Sequence, residues 1–181
     1  MRMYRNAAGL ALMAGLAGCV SSGGPAEAPA EPVPGAAMVT TIRAAGEAAD
    51  DELDVRPLRD PNVEDLRRRA AEYEKNGEPA NAVAALDEAL AVNATDPAVL
   101  QERAEAALLL GDLDAALAHA RRAIAQGAGV GPLCRRHWAT VEEIAKLRAS
   151  RADAGATQAQ ADADSSRRER EACTVAPPPR L

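Results

Sequence analysis

Between residues 63 and 149 the apolar positions recur at helical spacing rather than in alternation. Leu66, Ala70 and Tyr73 fall at i, i+4 and i+7, and Ala82, Leu86, Ala89 and Leu90 form a second stripe after the Gly77-Glu78 pair. The same order returns further on: Leu100, Ala104 and Ala107, then Gly111-Asp112, then Ala116, Ala120, Ala123 and Ile124. Gly77 and Gly111 stand 34 residues apart, and at that offset Leu66 meets Leu100, Ala70 meets Ala104, Ala82 meets Ala116, Ala89 meets Ala123 and Leu90 meets Ile124. A fixed period of this length means stacked helix pairs, each too thin to bury its own apolar face. The breaks agree with the stripes. Asp60 or Asn62 can cap one helix and Asp96 another, with Pro61 or Pro97 in the opening turn. Gly77 and Gly111 end the first helix of each pair, where a left-handed residue is needed.

Two helix pairs leave apolar ends, and a solenoid needs cover for them. Residues 131–149 supply it: Pro132 opens a helix, and Leu133, Trp138, Val141, Ile144 and Leu147 present a continuous apolar surface, with Trp138 as its anchor. Residues 150–181 lose the pattern. Ala, Gln, Asp, Thr and Gly give way to a charge run and then to three consecutive prolines, so this reads as a largely disordered tail. Before the repeats, Val39, Ile42, Ala45, Ala49 and Leu53 have roughly helical spacing. Residues 38–55 therefore form either a short helix packed on the module or a disordered stretch, followed by a Pro-bearing linker to residue 62. Residues 19–37 are mostly Ser, Gly, Pro, Ala and Glu, the composition of a flexible tether.

In residues 63–96 and 97–130 the chain resembles the tetratricopeptide repeat family. Leu66, Ala70, Tyr73, Gly77, Ala82, Leu86, Ala89 and Leu90 stand at that family's packing positions in the first repeat. Leu100, Ala104, Ala107, Gly111, Ala116, Ala120, Ala123 and Ile124 do so in the second. There are departures: leucine replaces the large early aromatic in both, and the late proline is displaced from Ala94 to Pro97 and absent at Ala128. The resemblance implies an all-α fold, a short tetratricopeptide-like antiparallel helix-pair solenoid with a C-terminal capping helix. It also implies an inner surface built by the first helix of each pair: Glu64, Arg67, Ala71, Glu74 and Lys75, then Ala98, Gln101, Glu105, Leu108 and Leu109. Such a surface, charged for orientation and apolar for contact, is expected to hold a peptide or a partner's helix. The alternative for Leu108 and Leu109 is packing beneath residues 38–55.

Residues 1–18 read as a secretory signal. Arg2 and Arg5 precede a short apolar stretch from Ala7 to Ala17, at about 11 residues too short to span a bilayer of roughly 30 Å. It ends in Leu16-Ala17-Gly18-Cys19, which resembles the bacterial lipobox at all four positions. That resemblance implies cleavage after Gly18 and acylation of Cys19, hence a membrane anchor of two or three chains. With Val20 rather than Asp after the anchor, analogy favours the outer membrane, facing the periplasm. If Cys19 is acylated, Cys134 and Cys173 remain; they pair with each other, stay free, or pair between molecules.

Composition narrows the chemistry. With no Phe, one Trp and two Tyr, the core must be built from Leu, Ile, Val and Ala, which suits thin helix layers better than a deep catalytic cavity. Net charge is −6 for the whole chain, and −8 (19 minus 27) without residues 1–18, which gives nucleic acid no purchase; the Arg67–Arg69 and Arg167–Arg170 clusters lack interleaved aromatics. Cys134 and His137, at i and i+3, make neither a metal set nor a nucleophilic dyad with an oxyanion site. No cofactor or catalytic residue is therefore expected. The sequence points first to a membrane-tethered, non-enzymatic adaptor for an envelope protein or peptide, second to a self-associating structural accessory, and last to an enzyme.

Overall fold

The computed structural model describes residues 34–47, 60–151 and 154–174, all within the unit Pro32–Leu181. The expected signal, Cys19 and most of the tether lie outside the described residues, as do residues 48–59 and 175–181. Seven helices are found among the described residues: α1 (Gly35–Ala45), α2 (Pro61–Lys75), α3 (Pro79–Val92), α4 (Pro97–Leu109), α5 (Leu113–Gln126), α6 (Pro132–Ser150) and α7 (Ala156–Ala172). The closest neighbours are α2 with α3, α4 with α5 and α6 with α7, and successive pairs meet through α3 with α4 and α5 with α6. The chain is an all-α array of three helix pairs, with α1 laid against α4 and α6.

Local chemistry sets the ends of these helices. The Asp60 carboxylate accepts from the Asn62 amide at 2.8 Å, and Asp96 accepts from the amides of Ala98 at 2.9 Å and Val99 at 3.2 Å. Asp112 caps α5 by accepting from Ala115 at 2.9 Å. Gly77 and Gly111 have φ of 75° and 79°. At each, two amides turn back on the helix: Gly77 to Glu74 and Glu78 to Tyr73 in one, Gly111 to Leu108 and Asp112 to Ala107 in the other. The two turns of the 34-residue period thus share one hydrogen-bond pattern, the six-to-one closure of a Schellman motif.

The repeat-spaced residues form the interior. Val63, Ala70, Ala82, Ala85, Leu86, Ala89, Val99 and Ala106 make one cluster, with Leu66 and Tyr73 packed against it. Ala104, Ala120 and Val141 make another beneath Leu117, Ile124 and Trp138. Trp138 is half-buried, serving the packing role expected of it.

Three boundaries differ from the sequence reading. Helix α1 begins at Gly35, inside the stretch assigned to the tether, and resolves the two readings of residues 38–45 in favour of a packed helix. The tail expected to be largely disordered is helical from Ala156 to Ala172. Its buried positions are Ala159, Ala163 and Ser166, too small to register as an apolar stripe but small enough to let α7 lie close on α6. Consequently α6 is not the terminal cap. It is the first helix of a third pair, and α7, with its polar outer face, closes the array. A disulfide between Cys134 and Cys173 joins the start of α6 to the end of α7, with 5.8 Å between their Cα atoms. The Gly131 amide donates to the Cys173 carbonyl at 2.8 Å beside it.

Candidate functional site

A groove of about 620 Å³ lies between α1, α2 and α4. Helix α1 contributes Ala36, Val39, Thr40 and Arg43; α2 contributes Arg67, Ala70, Ala71, Glu74 and Lys75; Leu86, Glu102, Leu109 and Arg136 complete the lining. The helical period explains the α2 set: Arg67, Ala70, Ala71, Glu74 and Lys75 fall at steps of three and four, on one face.

The charged residues of the groove are interlocked. Arg67 donates from Nη1 to Glu64 Oε1 at 2.7 Å and from Nε to Glu102 Oε2 at 2.8 Å, with a second, short bond from Nη2 to Glu102. Arg43 donates from Nη2 to Glu74 at 2.6 Å and from Nε to Glu105 at 2.8 Å. Lys75 and Ala71 are exposed. Thus Arg67, Ala71, Glu74, Lys75 and Leu109 line the groove as their repeat positions suggest, and Glu64 stands behind Arg67.

Gln101, Glu105 and Leu108 are placed differently from the sequence reading. The repeat position puts them on an open inner surface, but each is 0 % exposed, and Ala98 is buried too. The correction has a physical cause. Helices α1 and α6 cover this part of α4, and Leu108 packs in one cluster with Met38, Val39, Ile42, Ala139 and Ile144. Of the two destinations open to Leu108 in the sequence, the structure shows packing beneath α1; Leu109 packs on the same cluster from the side while still reaching the groove.

Below the groove floor runs a buried polar chain that the sequence did not reveal. Gln101 Nε2 donates to both Glu105 Oε1 and Thr140 Oγ1 at 2.8 Å, leaving its Oε1 to accept. His137 Nδ1, 2.8 Å from that oxygen, must therefore carry the proton. Its Nε2 is buried without a hydrogen-bond partner. Burial, helped by the Arg136 charge, pushes the His137 imidazole down to about 4. The Glu105 pKa is lowered too, but against its burial: burial alone would raise it, and hydrogen bonds and charge from Arg136, with Gln101 and Arg43, hold it below the ordinary carboxylate value. Arg136 Nη2 lies 2.6 Å from Glu105 Oε2. Glu105 is a carboxylate held by two arginines, in no position to exchange protons near neutral pH.

Among the described residues no group of three or more His, Cys, Asp or Glu could hold a metal ion. Cys134 is in the disulfide, so in the folded, oxidised chain it has no thiol to pair with His137. No described helix is long and apolar enough to cross a membrane. Comparison with family models, with curated proteins and with solved structures gives no match to this chain. The fold is an all-α array of paired helices, consistent with a helical repeat, with a charged groove.

Proposed function

We propose that this protein is a tetratricopeptide-type lipoprotein adaptor that binds a peptide or partner helix of an envelope complex in the α1–α2–α4 groove. The observation that carries the reading is the groove's lining. Val39, Ala70, Ala71 and Leu109 offer apolar contact, while Arg43, Arg67, Glu74 and Lys75 offer both signs of charge within one concave surface. Such a lining orients an extended or helical segment without performing chemistry on it. The 34-residue period and the paired Schellman turns at Gly77 and Gly111 support the repeat class. The Leu16–Cys19 motif supports anchoring through acyl chains at the outer membrane.

Two measurements test this. Metabolic labelling with an alkyne fatty acid should mark the chain, and Cys19→Ser should abolish the label; a label that survives refutes the anchor. A photo-crosslinker at Ala71 should capture one envelope protein in living cells, and Lys75→Glu should reduce that capture at least about fivefold, the effect of losing roughly 1 kcal/mol of charge complementarity. Equal capture from a crosslinker at exposed Arg168, on the far helix α7, would show that the groove is not the site.

A further inference from the structure

Helix α1 is gripped along its whole length by fittings that belong to the array. At its start Gly35 lies so close to α4 that a Cβ there would stand 2.1 Å from the Leu108 carbonyl oxygen. In its middle Met38, Val39 and Ile42 rest on Leu108, Ala139 and Ile144. One step further Arg43 bridges Glu74 and Glu105. At its end Arg135 of α6 donates to the carbonyls of Ala45 at 3.1 Å and Glu47 at 2.9 Å, taking up acceptors that a helix C-terminus leaves over. These are the features of a receptor site for a short helix.

Departure of α1 would uncover Leu108, Ala139 and Ile144, an apolar patch that another copy of the helix can cover, but would strand no buried charge. Glu105 would lose Arg43 but keep Arg136 and Gln101, so no buried charge would be stranded. Glu74 and Arg43 would pass into water, where each is solvated. Helix α1, by contrast, has 11 residues and is marginal alone. From Glu47 to Asp60 the covalent chain can reach at most about 45 Å, well beyond the length of α1 itself, about 16 Å.

We infer that segment 34–47 is an exchangeable ligand of the array, and that its alternative seat is the same site on a second copy of this chain. The contacts in cis and in trans are identical, so exchange is governed by protein concentration against the effective concentration set by the linker. The second copy contributes Arg43 to the Glu105 site it enters. This inference stands apart from the adaptor reading, because its probe is the chain's own segment and needs no envelope client.

The test uses detergent-solubilised full chain and a fluorescent peptide of residues 34–47. Gly35→Val prevents the resident helix from seating. The Gly35→Val chain should bind the wild-type peptide saturably and at least about tenfold more tightly than the wild-type chain does, since the wild-type seat is filled in cis. A Gly35→Val or Arg43→Glu peptide should lose that binding at least about tenfold. Two differently tagged wild-type chains should co-purify after concentration and mixing, and two Gly35→Val chains should not. Arg43→Glu in the chain, which leaves the apolar contacts of α1 in place, is the second variant and should take up peptide with intermediate affinity. The inference is overturned if helical, cooperatively melting variants bind no more peptide than the wild type, or if wild-type chains never co-purify. It is equally overturned if both variants unfold, which would make α1 a fixed part of the core.

Discussion

His137 and Glu105 lie within one buried chain of polar contacts, yet they respond to acid at different points. His137 is held neutral, with its pKa near 4 in the fold against 6.5 for the free imidazole. Between those two values the unfolded chain binds a proton that the folded one refuses, so stability falls as pH drops from about 6.5 towards 4, by roughly 3 kcal/mol in all. Glu105, depressed in the fold, adds a further loss below the ordinary carboxylate range. His137→Asn keeps a donor near the Nδ1 position towards Gln101 and removes the titration. Urea melts of this variant should show a shallower fall in stability from pH 6.5 to 4.5 than the wild type, the remainder belonging to His119, whose pKa burial and the charges of Arg103 and Arg122 also lower; parallel pH profiles would refute the assignment. The two arginines on Glu105 are also unequal. Arg43 is 45 % exposed and Arg136 23 %. Arg43→Ala should cost about 1 kcal/mol, whereas Glu105→Ala, which strands Arg136 against a buried site, should cost about 3 kcal/mol or more. Equal losses in denaturant midpoints would mean that Arg43 carries more of the carboxylate's burial than its exposure suggests.

At the scale of the element, α7 buries the smallest side chains of the array. Its buried side chains are Ala159, Ala163 and Ser166, which remove little apolar area from water; the Cys134–Cys173 bond and the Arg170–Glu142 ion pair, at 2.8 Å, fasten it to α6 as well. The bond spans 39 residues of sequence, and loop-closure entropy puts its contribution near 4 kcal/mol as an upper figure. Cys134→Ser should lower stability by about 2–4 kcal/mol, and amide exchange in residues 156–172 should quicken while α2 to α5 stay protected. Undiminished protection of α7 would show that close packing of small residues suffices. This helix also shows where pattern reading falls short: a stripe of Ala and Ser carries no hydrophobic signal, although it lets one helix lie against another. The stripes at Leu66, Leu86 and Leu100 were legible because large apolar side chains at helical spacing leave few alternatives.

Across the whole molecule, protection should follow depth in the stack. In α4 nine residues are buried, from Ala98 to Leu108, and α3, α5, α1 and α6 all touch this helix. Terminal elements of a one-dimensional array have a neighbour on one side only. Native-state hydrogen exchange should therefore find the slowest amides in α4, with α1 and α7 opening at lower free energy. If α1 exchanged only by global unfolding, its separate release from the seat would be excluded.

The sequence by itself determined the first two helix pairs, their period, the acid cap at Asp96, and the left-handed turns at Gly77 and Gly111. Each of these is local, fixed by side-chain spacing or by backbone geometry within a few residues. Tertiary structure decided what covers what. Gln101, Glu105 and Leu108 share a helix face with groove positions, and their burial depends on α6 and on α1, whose Gly35 must come within contact of a carbonyl more than seventy residues later. Likewise the pairing of Cys134 with Cys173, one of several outcomes open to the sequence, depended on α7 returning along α6. Periodicity shows which face of a helix is meant to be met; which segment comes to meet it is settled by packing between residues far apart in the chain.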